Sequence, residues 1–301
     1  MSARIPAVGA AALTDRRPFG QLTVPLIAAP MTMVSTPALV SAACAAGIVG
    51  AFPTSNCGST AELDEWLDEV AALVQTASRQ PHAPVPGPVA ANLIVHRVNQ
   101  RLDDDLATIV RRGVGIVITS VGNPVPVIDP LHRGGCLVFA DVASLAHAEK
   151  AAAAGADGLV LLAAGAGGNT GWANPFAFAR AVRAFFSGPL VLAGGVSDGI
   201  ALWAATVLGF DLGYMGTKFI ATAESGASPA WRQAVVDARL DDITLGPGPT
   251  GVTASLLPGR GSAGHTVSGV HAITTVAEVV RTTQSEWQAA RSHTRATLTE
   301  P

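Results

Sequence analysis

Between residues 161 and 172 the chain reads LLAAGAGGNTGW, with four glycines in the seven positions from Gly165 to Gly171 and the carboxamide of Asn169 among them. Backbone without side chains can come close to a ligand or to another backbone. Two more glycine loops, AGGVSDG (193–199) and MGTKF (215–219), each run into a helical stretch. N–H groups at such a junction point toward an anion, and phosphate is the recurrent occupant. Tight turns that hold nothing are the alternative reading. Neither loop is a nucleotide signature: GAGGNT fails G-x-G-x-x-G at its sixth position, and MGTK lacks the Walker spacing. The chemistry expected is therefore the grip of a single phosphate.

The polar candidates fall at the ends of apolar runs: Asn92 and His96, Thr119 and Ser120, and Asp141. His96 is the one histidine placed to serve as a base, with a surface histidine in a connecting loop as the alternative. Thr119 and Ser120 read as polar lining. The seven histidines and three cysteines show no metal-ligand spacing, so no metal site is expected. GRGSAG around Ser262 fails the nucleophile-elbow pattern, because Arg260 stands two residues before the serine. Asp103-Asp104-Asp105 reads as a solvated first turn of a helix, where acidic groups suit the helix dipole.

Positioning these residues requires a regular scaffold, and the chain predicts one. Apolar runs at 22–30, 48–55, 89–95, 115–122, 136–142, 157–165, 189–196 and 211–220 read as strands. Most are apolar on both alternating faces, as strands buried in a parallel sheet must be. Helical patterns lie between them at 36–47, 60–77 (with Thr60 as cap), 101–113, 144–155, 174–186 and 198–209, several ending at glycine. The Pro-rich stretch from Gly122 to Gly135 has room for a short helix only. Eight βα units in about 200 residues predict an α/β fold, the TIM (β/α)8 barrel, whose ligands bind at the C-terminal ends of the strands. The barrel occupies about 22–220 of a single domain spanning 1–301. A C-terminal appendage of helices and loops, about 221–301, contains a helix at 228–239, a Gly/Pro-rich stretch and a last helix near 272–290.

Composition excludes other classes. The 301 residues are 49% hydrophobic and 14% charged, with a net charge of −3, which gives no basis for nucleic-acid binding. No apolar run reaches the roughly 18 residues of a membrane span. The first 20 residues lack the apolar core of a secretory signal. Cys44, Cys57 and Cys136 are far apart in apolar segments and read as reduced thiols of a cytoplasmic protein.

The ordered series VPLIAAPM, Asn92, GAGG, AGG and YMGT, followed by DDITLGPGPTGVTASLLPG, resembles the nitronate monooxygenase (2-nitropropane dioxygenase) family of FMN-dependent TIM barrels. The resemblance covers nearly the whole chain. It implies that Ala29, Pro30 and Met31 run beside the flavin ring and that Asn92 contacts the cofactor. It also implies that Gly167, Gly168, Gly194, Gly195, Tyr214, Met215, Gly216 and Thr217 hold ring and phosphate, with Thr119 as polar lining. Where the family reads Gln-Gly-x-Glu-Ala-Gly-Gly-His, this chain has Leu162-Ala163-Ala164-Gly165-Ala166-Gly167-Gly168-Asn169. The family histidine is the catalytic base. Asn169 cannot take its place as a base, since a carboxamide does not titrate near neutral pH, but it can donate a hydrogen bond to a nitro or carbonyl oxygen.

The expected activity is FMN-dependent oxidation of a small nitronate or related carbon acid by O₂. A nitronate is already deprotonated and tolerates the loss of the base. One alternative on the same fold is an NAD(P)H-dependent quinone or enoyl-thioester reductase, and another is a flavin-binding barrel without catalysis. A barrel that binds a phosphorylated substrate in place of FMN is a further option.

Overall fold

The computed structural model describes residues 19–97, 99–248 and 251–299. The stretch considered above for a secretory signal lies almost entirely outside the described residues, as do Pro249 and Thr250 of the GPGPTG segment.

Eight strands close into one parallel barrel. They are β1 (Leu26–Ala28), β2 (Val49–Pro53), β3 (Val89–Ile94), β4 (Ile116–Ser120), β5 (Leu137–Val142), β6 (Gly158–Leu162), β8 (Leu190–Ala193) and β9 (Leu212–Met215), with the two-residue β7 (Gly168–Asn169) standing outside the barrel. Closure is by β9 on β1, in the register Leu26↔Gly213, Ile27↔Tyr214 and Ala28↔Met215. Alternation along each strand gives two buried faces. Ile27, Ala51, Ala90, Ile116, Ile118, Leu137, Phe139, Val160, Val191 and Leu212 fill the interior. The opposite faces pack on α1 (Pro37–Ala45), α2 (Thr60–Ser78), α3 (Leu102–Arg112), α4 (Val125–Arg133), α5 (Leu145–Ala153), α6 (Pro175–Arg183) and α7 (Gly199–Leu208). Phe19 sits against the interior ring of Phe139, edge to face at 6.0 Å between centroids.

Local signals explain the helix ends. Thr36, Ser144, Asn174 and Asp198 accept from backbone N–H groups in the first turns of α1, α5, α6 and α7. Gly113 and Gly209 end α3 and α7 in the left-handed conformation. The Pro-rich stretch holds a short helix of nine residues, as expected, with Pro126 in its first turn and Pro130 inside it. Two expectations need correction. Ser59, not Thr60, caps α2, accepting from the Glu62 N–H; Thr60 is the first helical residue and bonds Asp105 across to α3. Asp105 is fully buried, not solvated, with Arg101 at 3.4 Å and Thr60 at 3.3 Å.

After α8 (Thr217–Ile220) and α9 (Pro229–Asp237) the appendage forms a small antiparallel sheet that the sequence did not reveal. It comprises β10 (Thr244–Pro247), β11 (Thr253–Leu257) and β12 (Gly261–Ser262). β7 joins it, pairing Asn169 with Ala254 and Gly168 with Ser255. The last helix, α10 (Val276–Thr299), is longer than expected and lies along α7. Trp203 Nε1 donates to Thr294 at 2.9 Å, and Arg291 lies 4.3 Å from the centroid of Trp287. Among the described residues no helix is long and apolar enough to cross a membrane.

Candidate active site at the mouth of the barrel

A cavity of about 400 Å³ opens at the C-terminal ends of the strands, within the size range of small-molecule and cofactor sites. Strand alternation dictates its floor. Asn92 follows Ala90 on the interior face of β3, Ser120 follows Ile118 on β4, Asp141 follows Phe139 on β5, and Tyr214 follows Leu212 on β9; all four line the cavity. Asn92 Nδ2 donates to Ile118 O at 3.0 Å and to Ser120 Oγ at 3.1 Å, which fixes the carboxamide.

The walls are the glycine loops. After β8 and β9, Gly194, Gly195, Gly216 and Thr217 line one side. Gly195 is the open member: its φ is +81°, and a Cβ built on it would meet no atom within 4 Å. Lys218 Nζ donates to Ser197 O at 3.0 Å and ties the two loops together. Ala29, Pro30 and Met31 form a second side beyond β1. Gly167, Gly168 and Asn169 form the third, and Ala254, Ser262, Ala263 and Thr266 of the appendage complete it.

Two of the loop glycines answer to the appendage. A Cβ on Gly167 would lie 2.7 Å from Gly264 N, and one on Gly165 would lie 2.6 Å from His265 Nδ1. Thr217 Oγ1 accepts from Gly264 N–H at 3.0 Å, fastening the same segment to the mouth. Asn169 therefore reaches the cavity from a short paired strand, not from a free loop.

Three candidates lie elsewhere. Thr119 has the opposite parity to Ser120, is buried away from the cavity and donates to Phe139 O at 3.2 Å. Met215 has the opposite parity to Tyr214 and packs in the outer core. His96 stands beyond the end of β3, outside the lining. The three cysteines are free and buried, and burial pushes the Cys44 thiol up to about 12, away from nucleophilic use.

Asp141, which the sequence offered as a polar strand end without assigning it a role, stands out in the lining by its environment. Its carboxyl is pushed up to about 7 by burial, and Oδ1 has no hydrogen-bond partner. The Tyr214 hydroxyl also lacks a partner, and burial, then the nearby Asp141 charge, holds its pKa well above the usual phenol range. These are the two titratable groups among the described residues lining the cavity; no Lys, Arg, His or Glu is there. The signal was available: an acid ends an otherwise apolar strand on its interior parity.

A closed parallel barrel with glycine loops after its last two strands and one cavity-facing acid belongs to the ligand-binding α/β barrels. The family model described as nitronate monooxygenase matches residues 17–255, and the chain belongs to that oxidoreductase family. A nitronate monooxygenase from Paraburkholderia phytofirmans is 27% identical over 253 residues, 70% of this chain and 67% of that protein. The (3aS,4S,5R,7aS)-5-hydroxy-7a-methyl-1-oxo-octahydro-1H-indene-4-carboxyl-CoA dehydrogenase of Mycobacterium tuberculosis is also 27% identical, over 73% of this chain and 59% of that protein. Among solved structures, FabK from Thermotoga maritima superposes with a TM-score of 0.80 at 22% identity, covering 92% of this chain and 97% of that one.

Proposed function

We propose that the cavity binds FMN and that the protein oxidises a small carbon acid, with an alkyl nitronate as the leading substrate and O₂ as the electron acceptor. The carrying observation is the pair of glycine loops after β8 and β9, with Gly195 open toward the cavity. A Cβ there would fill the space a phosphate needs, and its φ of +81° itself favours glycine. The residues thus fit the cofactor: Gly195, Gly216 and Thr217 would hold the phosphate, and Ala29, Pro30, Met31 and Asn92 the ring. Bound FMN supplies a two-electron acceptor.

The chain's own groups supply placement. Asn169 donates its carboxamide N–H to a nitro or carbonyl oxygen at the mouth, and having no titratable site it takes no proton. A nitronate arrives deprotonated, so oxidising it needs no base to break a C–H bond. The appendage strand β11 fixes Asn169 in register, so the donor is set before substrate arrives.

A second reading, a flavin oxidoreductase of acyl or enoyl thioesters using NAD(P)H, is favoured by one feature of the lining. Among the described residues it carries no cation to balance a nitronate anion. The Mycobacterium tuberculosis relative carries the name of a carboxyl-CoA dehydrogenase, which agrees with a neutral thioester.

One experiment separates the readings. FMN-loaded protein is mixed aerobically with propyl-2-nitronate, and anaerobically with NADH followed by crotonyl-CoA. Oxygen consumption with the nitronate supports the first reading. Bleaching by NADH and recovery with crotonyl-CoA supports the second. Inertness in both arms contradicts both and leaves a flavin-binding barrel without these activities.

A further inference from the structure

Asn169 does not titrate and His96 lies outside the cavity, so the titratable groups of the site are those of its floor. Asp141 follows Leu137 and Phe139 on the interior face of β5 and lines the cavity beside Tyr214. Asp141 Oδ1 and the Tyr214 hydroxyl are each buried without a hydrogen-bond partner. Leaving two such oxygens unsatisfied is costly, and the arrangement persists in folded proteins where a bound group or a proton completes it.

We propose that Asp141 is the proton carrier of this site: its carboxylate takes up one proton when the flavin held at the barrel mouth accepts an electron pair, and releases it when the flavin is reoxidised. This rests on the FMN reading above. In the balance, the electron pair comes from a two-electron donor, NADH or dithionite, and passes to the flavin with one proton. The second proton comes from solvent and forms the Asp141 O–H bond. Reoxidation reverses both transfers.

The surroundings support coupling to the ligand's charge. The charged and titratable groups of α4 and α5, the helices packed outside β5, are Asp129, His132, Arg133, His147, Glu149 and Lys150, all exposed. The neighbouring strands β4 and β6 present no titratable side chain to the cavity, and from β9 Tyr214 alone does. Asp141 therefore responds chiefly to what is bound above it and to Tyr214. Its carboxyl already lies near 7 through burial, so negative charge arriving on the flavin moves it toward the protonated form around neutral pH.

The test is the midpoint potential of the bound flavin from pH 5.5 to 9 in wild type, Asp141→Asn and Tyr214→Phe. One extra proton per two electrons adds a slope of about 30 mV per pH unit, since a tenfold change is 29.6 mV for a two-electron couple. Wild type should show this extra slope above about pH 7, Asp141→Asn should lack it, and Tyr214→Phe should keep it. Loss in Tyr214→Phe with retention in Asp141→Asn would assign the proton to Tyr214 and overturn the proposal. Equal slopes in wild type and Asp141→Asn would overturn it while leaving flavin binding intact. Wild type that takes up no flavin would remove the reading beneath it. If Asp141→Asn does not fold, the infrared redox-difference spectrum of wild type labelled with ¹³C-carboxyl aspartate decides. A labelled carboxylic-acid band gained on reduction supports the assignment, and its absence overturns it.

Discussion

Asp141 carries a consequence that needs no ligand. Its folded-state pKa, about 7, lies above the roughly 3.9 of an unfolded aspartate, so between these values the folded state binds more protons. Stability from this group is complete below about pH 4, declines as pH rises and is lost above about pH 7. Asp141→Asn should therefore stabilise the ligand-free protein at high pH, with the gain over wild type growing by about 2–3 kcal/mol between pH 5 and pH 8. Chemical denaturation at the two pH values measures it; a constant difference would mean Asp141 titrates normally. Asn169 makes the second prediction at this scale. Asn169→His places an imidazole on the paired strand that lines the cavity, so turnover of neutral nitroalkanes should appear and rise through about pH 6.5. General-base catalysis is worth on the order of 10²–10⁴ in rate. His96→Ala, outside the lining, should leave that turnover unchanged; a large loss in steady-state assays would put His96 in the site.

At the scale of elements, what the sequence made legible was periodic and what it hid was not. The apolar runs that form the eight barrel strands can be read because both faces of each are buried. Parity within those strands also separates Ser120 from Thr119 and Tyr214 from Met215, a distinction lost when strand ends are taken as whole segments. The sheet of β7, β10, β11 and β12 left no period, since two of its strands are two residues long, Gly246 and Pro247 interrupt β10, and β11 has only five residues. Hence the close packing of Gly165 and Gly167 on the appendage could not be foreseen, although their crowding was visible. Thr217 tests that junction. Thr217→Val keeps the shape but leaves the buried Gly264 N–H without its acceptor, and should cost about 1–3 kcal/mol in thermal or denaturant unfolding. No change would mean the appendage is held by apolar packing alone.

For the whole molecule, the barrel brings to one opening residues that are nearly 190 positions apart in the chain, from Ala29 to Thr217, and the appendage closes the remaining side. The central claim is that this opening holds FMN, and a titration tests it most directly. Gly216 is the informative position: its φ of −114° admits other residues, and the atoms nearest an added Cβ belong to side chains, Met31 Sδ at 3.3 Å and Ala29 Cβ at 3.5 Å, of which the flexible Met31 can yield. Gly194 is less suitable, because its φ of +108° and the Ala166 N–H at 3.0 Å would strain the loop itself. Fluorescence titration of FMN should show wild type binding one equivalent at about micromolar concentration, and Gly216→Val binding at least about tenfold more weakly (~1.4 kcal/mol) with its unfolding midpoint nearly unchanged. Wild type that leaves FMN fluorescence untouched, or Gly216→Val that binds as tightly as wild type, would contradict the account.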